Sequence, residues 1–157
     1  PVWAAANTID FVAIEDQKAD GTAGDTFTTG AWTKATLNTE VRDTGSNASI
    51  AASVVTLAAG TYILSAYTTM SNSHAGIRLR FQDTANTVTL VGPGMSGVVT
   101  TNTAANWQTR LDGGFTLAAQ ATCELQYYSA TATAAIVSAD GSGSVEVYSG
   151  LYLIKIA

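Results

Sequence analysis

The clearest pattern in the chain is an alternation of apolar and polar positions that begins at Gly60, within residues 54–69 (VVTLAAGTYILSAYTT). Tyr62, Leu64 and Ala66 fall on one side of an extended chain, and Ile63, Ser65 and Tyr67 on the other. That is the two-residue period of a strand, and the Tyr, Ile and Thr content suits one. Just before it, Leu57-Ala58-Ala59-Gly60 ends one extended run and turns the chain, with Gly60 free to adopt a positive φ. The phrase recurs: Thr56-Leu57-Ala58-Ala59 matches Thr116-Leu117-Ala118-Ala119, which has one extra residue before the next strand begins at Thr122. Two copies of strand, corner and strand predict two stacked antiparallel sheets, with Tyr62, Leu64 and Ala66 on an inner face.

The same reading places further strands along the chain. Residues 27–36 carry Trp32 and run on to 43; 44–47 form a turn cluster and 49–57 are extended. Residues 77–83 alternate cleanly, which predicts Ile77, Leu79 and Phe81 inward and Arg78, Arg80 and Gln82 outward. Thr84-Ala85-Asn86 turns the chain into a strand at 87–91, and a long loop is expected from Gly92 to about Asn106. Residues 107–118, with a bulge expected at Gly113-Gly114, then 122–131 and 144–156 complete the set. No stretch has a helical period. Eight to ten strands separated by turn signals make the chain all-β, a sandwich, barrel or jelly roll. Residues 1–24 look different. Val2, Trp3, Ile9, Phe11, Val12 and Ile14 are apolar and precede a polar, glycine-punctuated loop at 15–24. Residues 9–14 permit a short strand apolar on both faces, the kind usually buried, whereas the first eight residues show no period and read as an arm. The expected organisation is an N-terminal arm and linker over 1–24 and a β domain over 25–157.

Composition narrows the functional classes. A chain of 157 residues is one domain's worth, and a 46% hydrophobic, 12% charged composition with 14 Gly and 2 Pro suits a β-sandwich better than a disordered tail. The net charge of −5, with only seven Lys and Arg, argues against nucleic acid as a partner, because phosphate binding needs clustered cations. No transmembrane run exists, so no membrane partner is expected; the opening Pro-Val-Trp-Ala-Ala-Ala lacks the basic start of a signal peptide, and a first residue of Pro reads as removal of an initiator Met or equally as a cut from a longer chain. A single cysteine, Cys123, cannot form an intrachain disulfide and reads as a small buried hydrophobe in its strand.

The catalytic inventory is thin. Gly92-Pro93-Gly94-Met95-Ser96-Gly97 fits a dinucleotide-binding glycine pattern, but the β-prone Val98-Val99-Thr100-Thr101 follows where that site needs a helix. Asp16, Asp20 and Asp25 suggest a surface Ca²⁺, yet Lys18 and Phe27 stand where an EF-hand loop needs ligands, so a solvated acidic loop is the default. His74 sits alone in a polar loop, no nucleophile elbow is present, and one His with one Cys does not supply a zinc site. Asp112, Glu124, Asp140 and Glu146 are scattered, and nothing in the sequence pairs them as glycoside hydrolysis requires. Asn47-Ala48-Ser49 is a glycosylation sequon only in a secreted chain. Trp3, Trp32, Trp107, Tyr127, Tyr128, Tyr148 and Tyr152 are expected mostly in the core or a subunit interface. No catalytic residue, cofactor or metal is assigned.

One family resemblance bears on function. Residues 26–40 (TFTTGAWTKATLNTE), Leu57-Ala58-Ala59-Gly60-Thr61-Tyr62, Gly114-Phe115-Thr116-Leu117, Leu125-Gln126-Tyr127 and the closing residues 147–155 (VYSGLYLIK) resemble, in order and spacing, the C1q/TNF-like jelly-roll domain of tailed-phage structural proteins. The resemblance covers about 25–157 and implies a compact homotrimer in a virion, as capsid decoration protein, head fibre or fibre tip, with no shared catalytic set. Of these, a capsid decoration (cement) protein on the capsid surface is preferred, binding the major capsid protein. The preference rests on the expectation that the chain is complete and carries its own apolar arm, with Val2, Trp3, Ile9 and Phe11 as candidate docking residues. The alternative is a fibre tip that binds a host receptor or surface glycan through loops 71–76, 92–106 and 130–143.

Overall fold

A computed structural model of the chain describes residues 9–26, 28–71, 77–95, 106–130, 139 and 141–156. Eleven strands are formed among them: β1 (Asp10–Lys18), β2 (Trp32–Lys34), β3 (Thr39–Asp43), β4 (Ala48–Ala51), β5 (Val54–Leu57), β6 (Gly60–Ser71), β7 (Arg78–Asp83), β8 (Val88–Met95), β9 (Asn106–Leu117), β10 (Ala121–Tyr128) and β11 (Glu146–Lys155). They pair antiparallel into two sheets. One has the order β3-β1-β11-β6-β9; the other has β4-β5-β10-β7-β8, with β2 added on β10. This is a jelly-roll sandwich, the fold class expected from the sequence.

The repeated phrase builds its centre. The corner at Ala58-Ala59 carries the chain from β5 in one sheet to β6 in the other, and the corner at 118–120 carries it back from β9 to β10. The two crossings lie side by side, since Gly60 pairs with Leu117 and Leu57 with Ala121. Gly60 has φ 154°, a conformation that side chains with a Cβ rarely adopt. Beyond the corner, Tyr62, Leu64 and Ala66 are buried as expected, and Ile63 is 48% exposed on the outer face. The Tyr62 ring stacks on Phe115 at 5.4 Å, and Phe115 meets Phe81 of the opposite sheet at 5.5 Å. Tyr62 can be this deep because its hydroxyl donates to the Ala58 carbonyl at 2.8 Å, which satisfies its one polar group. Leu79, Leu125, Leu151, Leu153 and Cys123 fill the same layer.

Several local expectations change. Residues 10–18 do not belong to an arm and linker. β1 lies between β3 and β11, with Val12 and Ile14 buried in the core, because a segment apolar on both faces is satisfied only inside a sheet. The expected boundary at residue 24 therefore cuts through the domain. Residues 49–57 are a hairpin rather than one strand; Ala52 and Ser53, at φ 49° and 61°, turn β4 back onto β5. Strand β8 runs on through Gly92 to Met95, into the expected loop. Gln82 keeps its outward side, opposite Glu124 and Thr89, but is covered there, and its amide oxygen accepts a hydrogen bond from the Thr89 hydroxyl.

No bulge occurs at Gly113-Gly114, where β6 and β9 keep one continuous register. The glycine has a different purpose. A Cβ on Gly113 would lie 2.6 Å from Cγ1 of Val91, so its absence lets the opposite sheet close in. Gly113→Ala should destabilise the fold by about 1–3 kcal/mol through overpacking, measured by chemical denaturation. Most of that loss should return in the Gly113→Ala/Val91→Ala double variant; a double variant no better than the single one would show that the contact is not the cause.

Candidate functional site

The two outer faces of the sandwich differ in chemistry. On the five-stranded sheet, three cross-strand rows can be followed through the register. Phe11, Ile154, Ile63 and Gly114 form one, Ala13, Tyr152, Ser65 and Asp112 the next, and Glu15, Gly150, Tyr67 and Arg110 the third. The rings of Phe11, Tyr152 and Tyr67 make a continuous stripe, with centroids 6.5 and 6.2 Å apart. Gly150 makes that stripe possible: a Cβ there would lie 2.5 Å from Cε1 of Tyr67 and 2.9 Å from Cε2 of Tyr152. Ile63 and Ile154 stand exposed beside the rings as a directly paired apolar couple. The Tyr152 hydroxyl donates to Glu15 Oε1 at 2.7 Å; burial first, and then the carboxylate beside it, raise the phenol's pKa. Charged residues sit at the rims, with Arg42 on β3 opposite Ala13 and Arg110 and Asp112 on β9. An apolar centre with a charged rim is the anatomy of a protein interface.

Of the proposed docking residues, Phe11 belongs to this face and Ile9 is 69% exposed at its end. Val2 and Trp3 lie outside the described residues, as do His74 and Asp140. The structure thus brings Phe11 together with Tyr67, Tyr152, Ile63 and Ile154, which the sequence reading treated separately. The signal that could have joined them is the shared outward parity of 63, 65 and 67 with 150, 152 and 154.

The outer face of the other sheet is polar and aromatic. Strand β2 is short because it extends β10 only beyond the point where β5 stops, pairing Trp32 with Tyr128 and Lys34 with Gln126. Across β10, Tyr128 pairs with Arg78 and Gln126 with Arg80. The Arg80 guanidinium carbon lies 4.2 Å from the Trp32 ring centre, and Arg80 Nε donates to Gln126 Oε1 at 2.8 Å. Trp32 and Tyr128 meet at 5.6 Å and an angle of 50°. Trp32, Arg78, Tyr128 and Ala130 line an open cavity of about 210 Å³.

The acidic residues considered for Ca²⁺ are engaged with the protein itself. Lys18 Nζ lies 2.8 Å from Asp25 and 3.8 Å from Asp16, and Asp20 accepts the Gly143 N–H at 2.9 Å. Among the described residues no cluster of three metal-ligating side chains exists. Glu146, buried, accepts the Gly21 N–H at 2.9 Å and a hydrogen bond from the Tyr148 hydroxyl, which ties loop 19–25 to the last strand. Asp112 and Glu124 point from opposite outer faces, so the two cannot act on one bond. The sequon residue Asn47 is buried, its amide held by Asp10 at 3.0 Å and Lys155 at 2.8 Å. Cys123 is fully buried, and burial pushes its thiol up to about 12, the behaviour of an inert core residue.

Comparison with known proteins agrees on the fold. No protein-family model and no curated protein matches the sequence. Among solved structures, murine APRIL at pH 5.0 is similar at a TM-score of 0.60 and 12% identity, over 94% of this chain and 99% of that one. The globular domain of zebrafish complement 1qA is similar at a TM-score of 0.57 and 12% identity, over 96% and 98%. The chain has the C1q/TNF-like jelly-roll fold. Identity this low carries the fold and nothing more specific.

The buried Asp16 has a measurable consequence. Burial is the largest influence on it and raises its pKa to about 6 from 3.8, against the opposing pull of Lys18. Asp25 moves the other way: burial works to raise it, but hydrogen bonds from Lys18 and Thr36 prevail and lower it. A raised folded-state pKa means that the native protein binds this proton more tightly than the unfolded chain. Asp16 therefore adds stability as pH falls from about 6 toward 3.8 and withdraws it as pH rises through that window. Asp16→Asn keeps an acceptor for Asn38, which donates to Oδ1 at 3.0 Å. That variant should be more stable than wild type at pH 7.5, by up to about 3 kcal/mol at 1.36 kcal/mol per pKa unit. Melting curves at pH 4.5 and 7.5 test this; a variant less stable than wild type at pH 7.5 would refute it.

Proposed function

We propose that this chain is a non-enzymatic structural protein that closes into a homotrimer through the aromatic face of its five-stranded sheet. The observation that carries the reading is the stripe of Phe11, Tyr152 and Tyr67 with Ile63 and Ile154 exposed beside it. A face of this kind left in water is costly, and a symmetric assembly of copies covers it. The rim supports a ring in particular. In a head-to-tail contact, one edge of the face meets the opposite edge of the next copy. One edge strand, β3, carries Arg42 with Thr39 in the next row, and the other, β9, carries Asp112 and Arg110 in the same two rows. Arg42 of one copy then meets Asp112 of the next in the first of these rows. The trimer also agrees with the family that the sequence resembles.

The finer reading is that of a capsid decoration protein of a tailed phage, bound to the major capsid protein at the virion surface. It is supported by the sequence resemblance and by the apolar residues Val2, Trp3 and Ile9, which precede a strand on the proposed interface. In this reading the first residues dock on the coat lattice while the sandwich supplies the trimer.

Two experiments test the two levels separately. Light scattering coupled to size exclusion should give three chain masses for wild type and one for Ile63→Lys, with unchanged far-UV circular dichroism because position 63 is exposed. A monomeric wild type overturns the assembly. Deletion of residues 1–8 should abolish occupancy on phage heads and leave the trimer intact; unchanged occupancy overturns the docking role.

A further inference from the structure

We infer that the cavity between Trp32, Tyr128 and Arg78 is a subsite for one acidic sugar residue, a hexuronate or a sialic-acid-type unit of a surface polysaccharide. This goes beyond the assembly proposed above and does not depend on it, since the cavity lies on the other sheet, and its walls come from strands, with only Ala130 shared with the loops of the alternative glycan-binding reading.

The geometry of the strands assembles the site. Two rows cross β2, β10 and β7 in register: Trp32, Tyr128 and Arg78, then Lys34, Gln126 and Arg80. The second row fixes the first. Glu124 Oε2 accepts from Gln126 Nε2 at 2.7 Å, Gln126 Oε1 accepts from Arg80 Nε at 2.8 Å, and the guanidinium so held packs on Trp32. That chain of contacts holds Arg80 and the indole in place before any ligand arrives, the preorganisation that a weak site needs. Arg78 differs from Arg80. It is exposed and lines the cavity, and among the described residues no hydrogen bond or ion pair engages its guanidinium.

Each part of the cavity selects for the same chemistry. Two aromatic rings set at 50° form a corner that accepts the C–H face of a saturated ring. The Arg78 guanidinium, unengaged among the described residues, offers a planar fork matched to a carboxylate. The volume of about 210 Å³ lies below the roughly 300–1,000 Å³ of sites for drug-sized molecules and suits one sugar unit. Charge favours the same choice locally. Lys34, Arg78 and Arg80, three of the seven basic residues of a chain with net charge −5, share this face, and Glu124 is already engaged by Lys34 at 3.9 Å and by Gln126. A nucleotide would also stack and pair with arginine, but a chain this acidic is poorly suited to a phosphate backbone.

The test uses the full chain and two matched probe pairs: trigalacturonate with its methyl ester, and 3′-sialyllactose with lactose. Saturation-transfer NMR and calorimetry should show at least one of the acids binding with a Kd on the order of 1 mM. Loss of the carboxylate charge in the ester, or of the whole acidic unit in lactose, should weaken that binding at least about tenfold, the effect of a charged hydrogen-bonded pair. Arg78→Gln should do the same with an unchanged melting temperature, and Arg78→Lys should retain part of the affinity. Failure of both acids to bind at 20-fold the expected concentration (~20 mM,) overturns the inference. So do equal binding of acid and neutral partner, wild-type affinity in Arg78→Gln, and tighter binding of adenosine monophosphate than of either acid.

Discussion

The contact on which the rest of this molecule depends is the meeting of Tyr62, Phe115 and Phe81 between the two sheets. It is large enough to set the spacing of the sandwich, and it stands just beyond the paired corners where the chain changes sheets at Gly60 and Ala121. Three constraints meet there. The corner must be tight, the Tyr62 hydroxyl must find the carbonyl of Ala58, and the opposite sheet must approach closely enough for Val91 to lie over Gly113. Buried aromatic area supplies the driving force, and the hydrogen bond removes the cost of burying the phenol.

With the inner faces committed to that core, the outer faces are free to diverge. Glycine marks where one of them was shaped: Gly150 allows the rings of Tyr67 and Tyr152 to lie down on the five-stranded sheet. On the other sheet the shaping element is β2, three residues that continue the edge of β10 where β5 ends and bring an indole over a guanidinium. One face is apolar with a charged rim, and the other is polar with an aromatic corner. In the proposed assembly, copies of the chain and a second partner would meet opposite sheets, so neither contact disturbs the core.

Much of the scaffold was legible in the sequence because a strand buried on one face writes its period into the residue order. The inward set of Tyr62, Leu64 and Ala66, the buried Ile77, Leu79 and Phe81, the buried Cys123 and the all-β class all follow from that period. Where both faces of a strand are apolar the period weakens: residues 9–14 permit a short buried strand, but nothing in their order joins them to the domain expected from residue 25, of which β1 is an interior strand. Alternation places Gln82 on the outer side, as found, but its burial there depends on Thr89 of the neighbouring strand, whose hydroxyl donates to it. Gly113 resembled a bulge because glycine in a strand has two explanations, and only the position of Val91 separates them.

The sequence by itself determined the class of fold, the paired corners and most of the inner face, because these depend on near neighbours along the chain and on a two-residue period. The tertiary structure alone decided which strands became neighbours, and with them both candidate surfaces. Phe11, Tyr67 and Tyr152 belong to three strands far apart in the chain, as do Trp32, Arg78 and Tyr128. Sheet order and register are set by the whole core at once, so no local pattern records them. The stretch that begins at Gly60 shows the division well: its own residues specify a strand with a buried face, and only its partners β11 and β9 turn the other face into part of the proposed interface.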